Sequence, residues 1–146
     1  MEIIAMKPNL KVKTFHIDGM GCRQDGRGSA FGWIRIETGT QRIYSVNGLT
    51  EHEAEYKALF GVLKYLAPGS RATVFTHSLE LWRHFNIGFR ARGDRELAKL
   101  SAKVRQMIRK KEVTIRVRYI PREDNRAVIV PYYSRRKGPR RQLAKP

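Results

Sequence analysis

Apolar and polar residues alternate with period two over residues 11–17, Lys-Val-Lys-Thr-Phe-His-Ile, which predicts a strand with one buried face. The run passes into Asp18-Gly19 and then into a loop where Gly21, Gly26 and Gly28 stand among Arg23, Gln24, Asp25 and Arg27. Residues 30–36 predict a second strand, and 41–46 a third, joined by the polar link Glu37-Thr38-Gly39-Thr40. The chain therefore opens as an antiparallel meander.

The period then changes. Thr50 and Glu53 have the spacing of a capping box, in which each side chain bonds the other residue's backbone N–H. Apolar residues follow at helical spacing until Pro68-Gly69 stops them, which predicts a helix over 51–66. A short strand over 71–76 completes a strand, crossover helix, strand unit. Helices are expected over 79–85 and 95–110. The second carries Leu97, Leu100, Val104 and Met107 on one face and Lys99, Lys103, Arg105 and Arg109 on the other. Residues 113–120 alternate as a fifth strand, closed by Pro121. Phe31, Trp33, Phe60 and Phe75 read as core, as do Trp82 and Phe85 by their spacing with Leu79 and Leu81.

Length adds that 146 residues suit one compact domain, expected over 1–134, followed by a basic tail over 135–146 with six positive charges and no negative one. A single cysteine, Cys22, excludes a disulfide scaffold. No apolar run approaches the roughly 20 residues needed to cross a bilayer, and the N-terminus lacks the order of a signal peptide, so no membrane association and a cytoplasmic location are expected. Charge changes the picture most. The net charge is +17, and residues 1–67 hold 9 basic and 7 acidic residues, whereas 68–146 hold 21 and 6. Such asymmetry implies a polyanionic partner, with nucleic acid the commonest.

Four motifs in order carry a resemblance: Phe15-His16-Ile17-Asp18-Gly19, then Thr50-Glu51-His52-Glu53-Ala54-Glu55-Tyr56-Lys57-Ala58-Leu59, Val74-Phe75-Thr76-His77-Ser78, and Tyr119-Ile120-Pro121-Arg122-Glu123-Asp124-Asn125. Residues 11–133 resemble a bacterial or archaeal type 1 ribonuclease H domain. The resemblance implies an α/β ribonuclease H-like fold, a five-stranded mixed sheet of three antiparallel and then parallel strands flanked by helices. It also implies cleavage of the RNA strand of RNA/DNA hybrids with two Mg²⁺ ions on four carboxylates. Asp18 matches the first of these and Glu55 the second. His77 stands where the third is expected, and Ile129 where the fourth is expected. The site is therefore degenerate: its protein charge is −2 rather than −4, and imidazole is a poor Mg²⁺ ligand. Asp18 and Glu55 remain the candidate ligands for a single Mg²⁺ or Mn²⁺, with His77 shifting preference toward Mn²⁺ or Zn²⁺. Glu80, Glu123 and Asp124 are the carboxylates that would replace a lost ligand.

By the same resemblance, Gly19, Arg23, Gln24, Gly26 and Arg27 would lie against the RNA strand, Glu51 and His52 occupy a pair of positions that contact the nucleic-acid backbone, and Asn125 is a further expected nucleic-acid contact. Arg83, His84, Arg90, Arg92 and Arg95 form a basic cluster like a short DNA-gripping protrusion. The expected function is recognition of RNA/DNA hybrid or structured RNA with an inactive metal site. The alternatives are a divergent hydrolase cutting hybrids with a non-standard site, and a scaffold module of a nucleoprotein assembly.

Overall fold

The structure, a computed structural model, describes residues 11–21, 28–88 and 94–127. Its elements follow the expected order: β1 (Val12–Met20), β2 (Ser29–Arg35), β3 (Gln41–Val46), α1 (Glu51–Tyr65), β4 (Arg71–Thr76), α2 (Leu79–Asn86), α3 (Arg95–Lys111) and β5 (Thr114–Tyr119), then a 3₁₀ turn, Arg122–Asp124. The five strands form one sheet in the order β3-β2-β1-β4-β5. β1 pairs antiparallel with β2 and parallel with β4, so the meander and the crossover share β1 as their centre. The expected mixed sheet is present. Among the described residues no helix is long and apolar enough to cross a membrane. The N-terminal ten residues and the tail expected over 135–146 lie outside the described residues.

α1 packs across β1 and β2 and against α3. Its start follows from local chemistry, because the capping box is complete: Glu53 N donates to Thr50 Oγ1 at 3.1 Å and Thr50 N donates to Glu53 Oε1 at 2.9 Å. Its buried residues Ala58, Leu59, Val62 and Leu63 meet Phe15 and Ile17 of β1, Trp33 of β2, Val74 of β4 and Val117 of β5 in one core. The apolar period of α1 is thereby matched to the period-two face of the sheet.

The other end of α1 is closed from a distance. Lys111 Nζ, at the end of α3, donates to the carbonyls of Leu63, Lys64 and Leu66 at 2.8, 2.9 and 2.6 Å. These are the carbonyls a helix C-terminus leaves without intrahelical partners, and a cation there also opposes the negative end of the helix dipole. Lys111→Met is expected to keep the alkyl packing and to cost about 2 kcal/mol, read as a lower urea midpoint with an unchanged slope.

Several expectations for side chains change. Trp33 is buried, but Phe31, Phe60, Trp82 and Phe85 are only partly buried against the core, and Phe75 is half-buried in a T-shaped contact with His16. Arg105 is not on the solvent face of α3: its guanidinium lies 4.3 Å from the Phe85 ring centroid and donates to Phe85 O. Lys99 and Lys103 are exposed as expected.

Candidate functional site

The C-terminal end of β1 lies directly on the first turns of α1. A Cβ built on Gly19 would stand 2.5 Å from the Ala54 carbonyl carbon and from Glu55 N, and one on Gly21 would stand 2.5 Å from Glu51 N. The two glycines are needed because the obstacle is helix backbone, which cannot turn aside. Gly19 thus permits close strand–helix packing. Through this approach Gly19 N donates to Glu55 Oε2 at 3.2 Å.

Asp18 and Glu55 are buried at 2% exposure each. Thr76, at the end of β4, donates its hydroxyl to Glu55 Oε1 at 3.4 Å and accepts from Ser78 N at 3.0 Å. Thr76 has no assigned role in the sequence reading, although it lies inside one of the four motifs. Burial, and then the neighbouring Asp18 carboxylate, push the Glu55 carboxyl well above the usual range; bonds from Gly19 and Thr76 oppose this without reversing it. The pair therefore resists carrying two negative charges.

His77 is set by Asn125. The Asn125 amide nitrogen donates to Ile17 O at 2.8 Å, while its oxygen accepts from Ala127 N at 2.8 Å. Those backbone partners fix which end of the amide is which. The same nitrogen lies 2.9 Å from His77 Nδ1, so that ring nitrogen is assigned as the acceptor and the proton to Nε2. Nε2 in turn stands 3.6 Å from Asp18 Oδ1, an ion-pair rather than a hydrogen-bond distance. Asn125 is 4% exposed and all three of these bonds are internal, so it positions His77 rather than lining a surface. The segment is pinned once more where Arg126 N donates to His16 Nδ1 at 3.0 Å.

Asp18, Glu55 and His77 each offer a donor atom, and these atoms lie within 4.8 Å of one another. Among the described residues, no further carboxylate joins the group. Glu80 turns to His84, with Oε2 3.2 Å from Nε2, and Glu123 and Asp124 are exposed. Two Mg²⁺ ions about 4 Å apart need more anionic oxygens than two carboxylates supply. In the hydrogen-bond arrangement described, neither His77 nitrogen presents a free lone pair. Among the described residues, the cluster does not fit a paired-Mg²⁺ centre.

The remaining expected contacts divide into three. Glu51 and His52 are exposed on the first turn of α1, and Arg83 is exposed on α2. His84 leaves the basic cluster: it is buried, stacked 6.2 Å from Tyr56 and paired with Glu80. Arg23, Gln24, Gly26, Arg27, Arg90, Arg92, Cys22 and Ile129 lie outside the described residues.

No protein-family model matches the chain, and no curated protein matches it. Solved structures do. LC11 ribonuclease H1 in complex with an RNA/DNA hybrid is 19% identical, with a TM-score of 0.66 over 78% of this chain and 88% of that one. Ribonuclease H1 from the halophilic archaeon Halobacterium salinarum is 17% identical, with a TM-score of 0.66 over 79% and 89%. The N-terminal ribonuclease H domain of a Mycobacterium tuberculosis protein, solved as a fusion with maltose-binding protein, is 19% identical, with a TM-score of 0.63 over 79% and 91%. With its mixed sheet in the order β3-β2-β1-β4-β5 and this likeness over most of its length, the chain has the ribonuclease H-like fold.

Proposed function

We propose that this protein holds nucleic acid, RNA/DNA hybrid or structured RNA, and that its Asp18–Glu55–His77 cluster is not a hydrolytic two-metal centre. The observation that supports the second half is the bond from Asn125 to His77 Nδ1, which occupies that nitrogen's lone pair and leaves the ring proton on Nε2, the nitrogen facing Asp18. The first half rests on the net charge of +17, held mostly by residues 68–146, and on a fold shared with a ribonuclease H1 whose structure contains a hybrid. Glu51, His52 and Arg83 are the described surface positions assigned to the contact; Arg23, Gln24, Gly26, Arg27, Arg90 and Arg92 are assigned on sequence grounds alone.

A labelled RNA/DNA hybrid is expected to bind more tightly than duplex DNA of the same sequence, with log affinity falling linearly with log salt concentration. No RNA cleavage is expected in Mg²⁺. Cleavage that disappears in Asp18→Asn would overturn the non-hydrolytic reading, and equal affinity for hybrid and duplex DNA would favour a scaffold role.

A second reading, a single ion on the cluster, is supported by the three donor atoms within 4.8 Å. It requires the His77 proton to move to Nδ1 and the Asn125 amide to turn away. Mn²⁺ suits a mixed carboxylate and imidazole set better than Mg²⁺ does. On this reading Mn²⁺ raises the melting temperature and Asp18→Asn abolishes the rise; no Mn²⁺-dependent shift would sink it.

A further inference from the structure

Away from the cluster, a pocket of about 390 Å³ opens between the β2–β3 edge of the sheet and the outer faces of α1 and α3. It shares no lining residue with Asp18, Glu55, His77 or Asn125. Its floor is aromatic. Phe31 and Tyr44, cross-strand partners, stack with centroids 5.1 Å apart and planes 29° apart, and Trp33 and Tyr65 meet at 4.6 Å. Tyr44 and Tyr65 stay 44% and 39% exposed, so their rings are open to a ligand.

The rim is cationic. Arg42, Lys57, Lys64 and Lys103 line the pocket, and among the described residues no acidic one does. Two of these cations are held near rings: the Arg42 guanidinium lies 6.0 Å from the Trp33 centroid and Lys64 Nζ lies 5.6 Å from that of Phe60. Exposed tyrosine rings beside positive charge match a ligand that is planar, aromatic and anionic. An acidic peptide would use the cations and leave the rings uncovered, and a lipid chain would leave the cations unmatched. The volume sits near the lower end of the roughly 300–1,000 Å³ typical of small-ligand pockets, enough for one base with its phosphate.

We propose that this pocket binds a nucleobase together with its phosphate, stacking the base on the exposed Tyr44 ring, which Phe31 backs, and pairing the phosphate with the lysines of α1 and α3. Stacking platforms beside cationic tracks hold single strands without reading sequence. The natural source of the ligand is an unpaired nucleotide at the end of a bound hybrid or RNA. That assignment of source rests on the proposed nucleic-acid function, whereas the chemistry of the pocket does not.

The test compares a blunt RNA/DNA hybrid with the same hybrid carrying a deoxythymidine tail of about six nucleotides, the scale of a single-strand binding site. The tail is expected to raise affinity about tenfold. Tyr44→Leu, which keeps apolar bulk but removes the ring, and the double variant Lys64→Gln with Lys103→Gln should each erase that increment while leaving blunt-hybrid affinity close to the parent's. A parent that binds blunt hybrid but gains nothing from the tail overturns the pocket proposal and leaves the nucleic-acid function standing, as does an increment that survives Tyr44→Leu. Should blunt hybrid fail to bind, the function falls, and free oligothymidylate decides the pocket: quenching of tryptophan fluorescence that is lost in Tyr44→Leu supports it, and no quenching overturns it. A separate arm titrates thymidine monophosphate. Saturation as tight as that of the oligonucleotide would support the base-and-phosphate chemistry while overturning the strand as its source.

Discussion

Gly19→Ala is expected to destabilise the protein by about 3 kcal/mol, lowering the melting temperature by roughly 10 °C. The added methyl would meet the Ala54 carbonyl carbon and Glu55 N at 2.5 Å and the Ala54 Cβ at 2.9 Å. Two of those atoms belong to helix backbone, so no rotamer change makes room, and either β1 must lift or α1 must slide. Either motion disturbs the core, because Phe15 and Ile17 on β1 pack with Leu59, Val62 and Leu63 of α1. It also lengthens the 3.2 Å bond from Gly19 N to Glu55 Oε2, leaving a buried carboxyl without one of its two donors. Gly39→Ala is the comparison. Nothing lies within 4 Å of a Cβ there, and its cost is confined to the strain of a residue held at φ +78°. Thermal melting of both variants checks this, and a Gly19→Ala protein as stable as Gly39→Ala would show that strand and helix do not approach as described.

How far the sequence anticipates this site depends on how local each determinant is. The helix start at Thr50 is legible because both halves of the capping box lie within one turn, and β3 and β4 coincide with their expected spans because each is bounded by turn residues. β1 runs on to Met20, beyond the Asp-Gly pair that reads as its end, because Gly19 and Met20 continue the ladder with Phe31 and Ala30. A ladder partner is not visible in a local pattern. Asp18, Glu55 and His77 are brought together as the motifs imply.

Asn125 is the instructive departure. Its role depends on Ile17, 108 residues away in sequence, and on an inward-facing imidazole, so no spacing rule separates a buried amide from a surface one. His84 departs for a nearer reason. It follows Leu81 by three residues, which places both on the buried side of α2, but its charge groups it with Arg83. Arg105 similarly lays its planar head on Phe85, using the stacking that distinguishes arginine from lysine. In each case the residue type suggests solvent and the tertiary partner decides otherwise.

Replacing the buried carboxyl at Glu55 yields the second large effect, a stabilisation that grows with pH. Burial and the adjacent Asp18 raise its folded-state pKa well above the ordinary glutamate value, so the folded protein holds this proton to higher pH than the unfolded chain does. Stability then falls with rising pH from about 4.5, where the unfolded group begins to ionise, until the folded group has also ionised. Glutamine copies the protonated form: its carbonyl oxygen accepts a hydrogen bond as the acid does, and it never ionises. In metal-free buffer, Glu55→Gln and the parent should therefore melt at similar temperatures near pH 4 and separate as pH rises, the variant becoming the more stable by on the order of 2 kcal/mol at pH 8. Taking the difference at each pH removes contributions common to both proteins, including that of His16, whose pKa is lowered by burial and then by the charge of Arg126. Urea melts across this range measure the difference directly. A variant equally stable at every pH, or less stable at high pH, would mean that Glu55 is comfortably ionised in the fold and that the cluster carries two negative charges without strain.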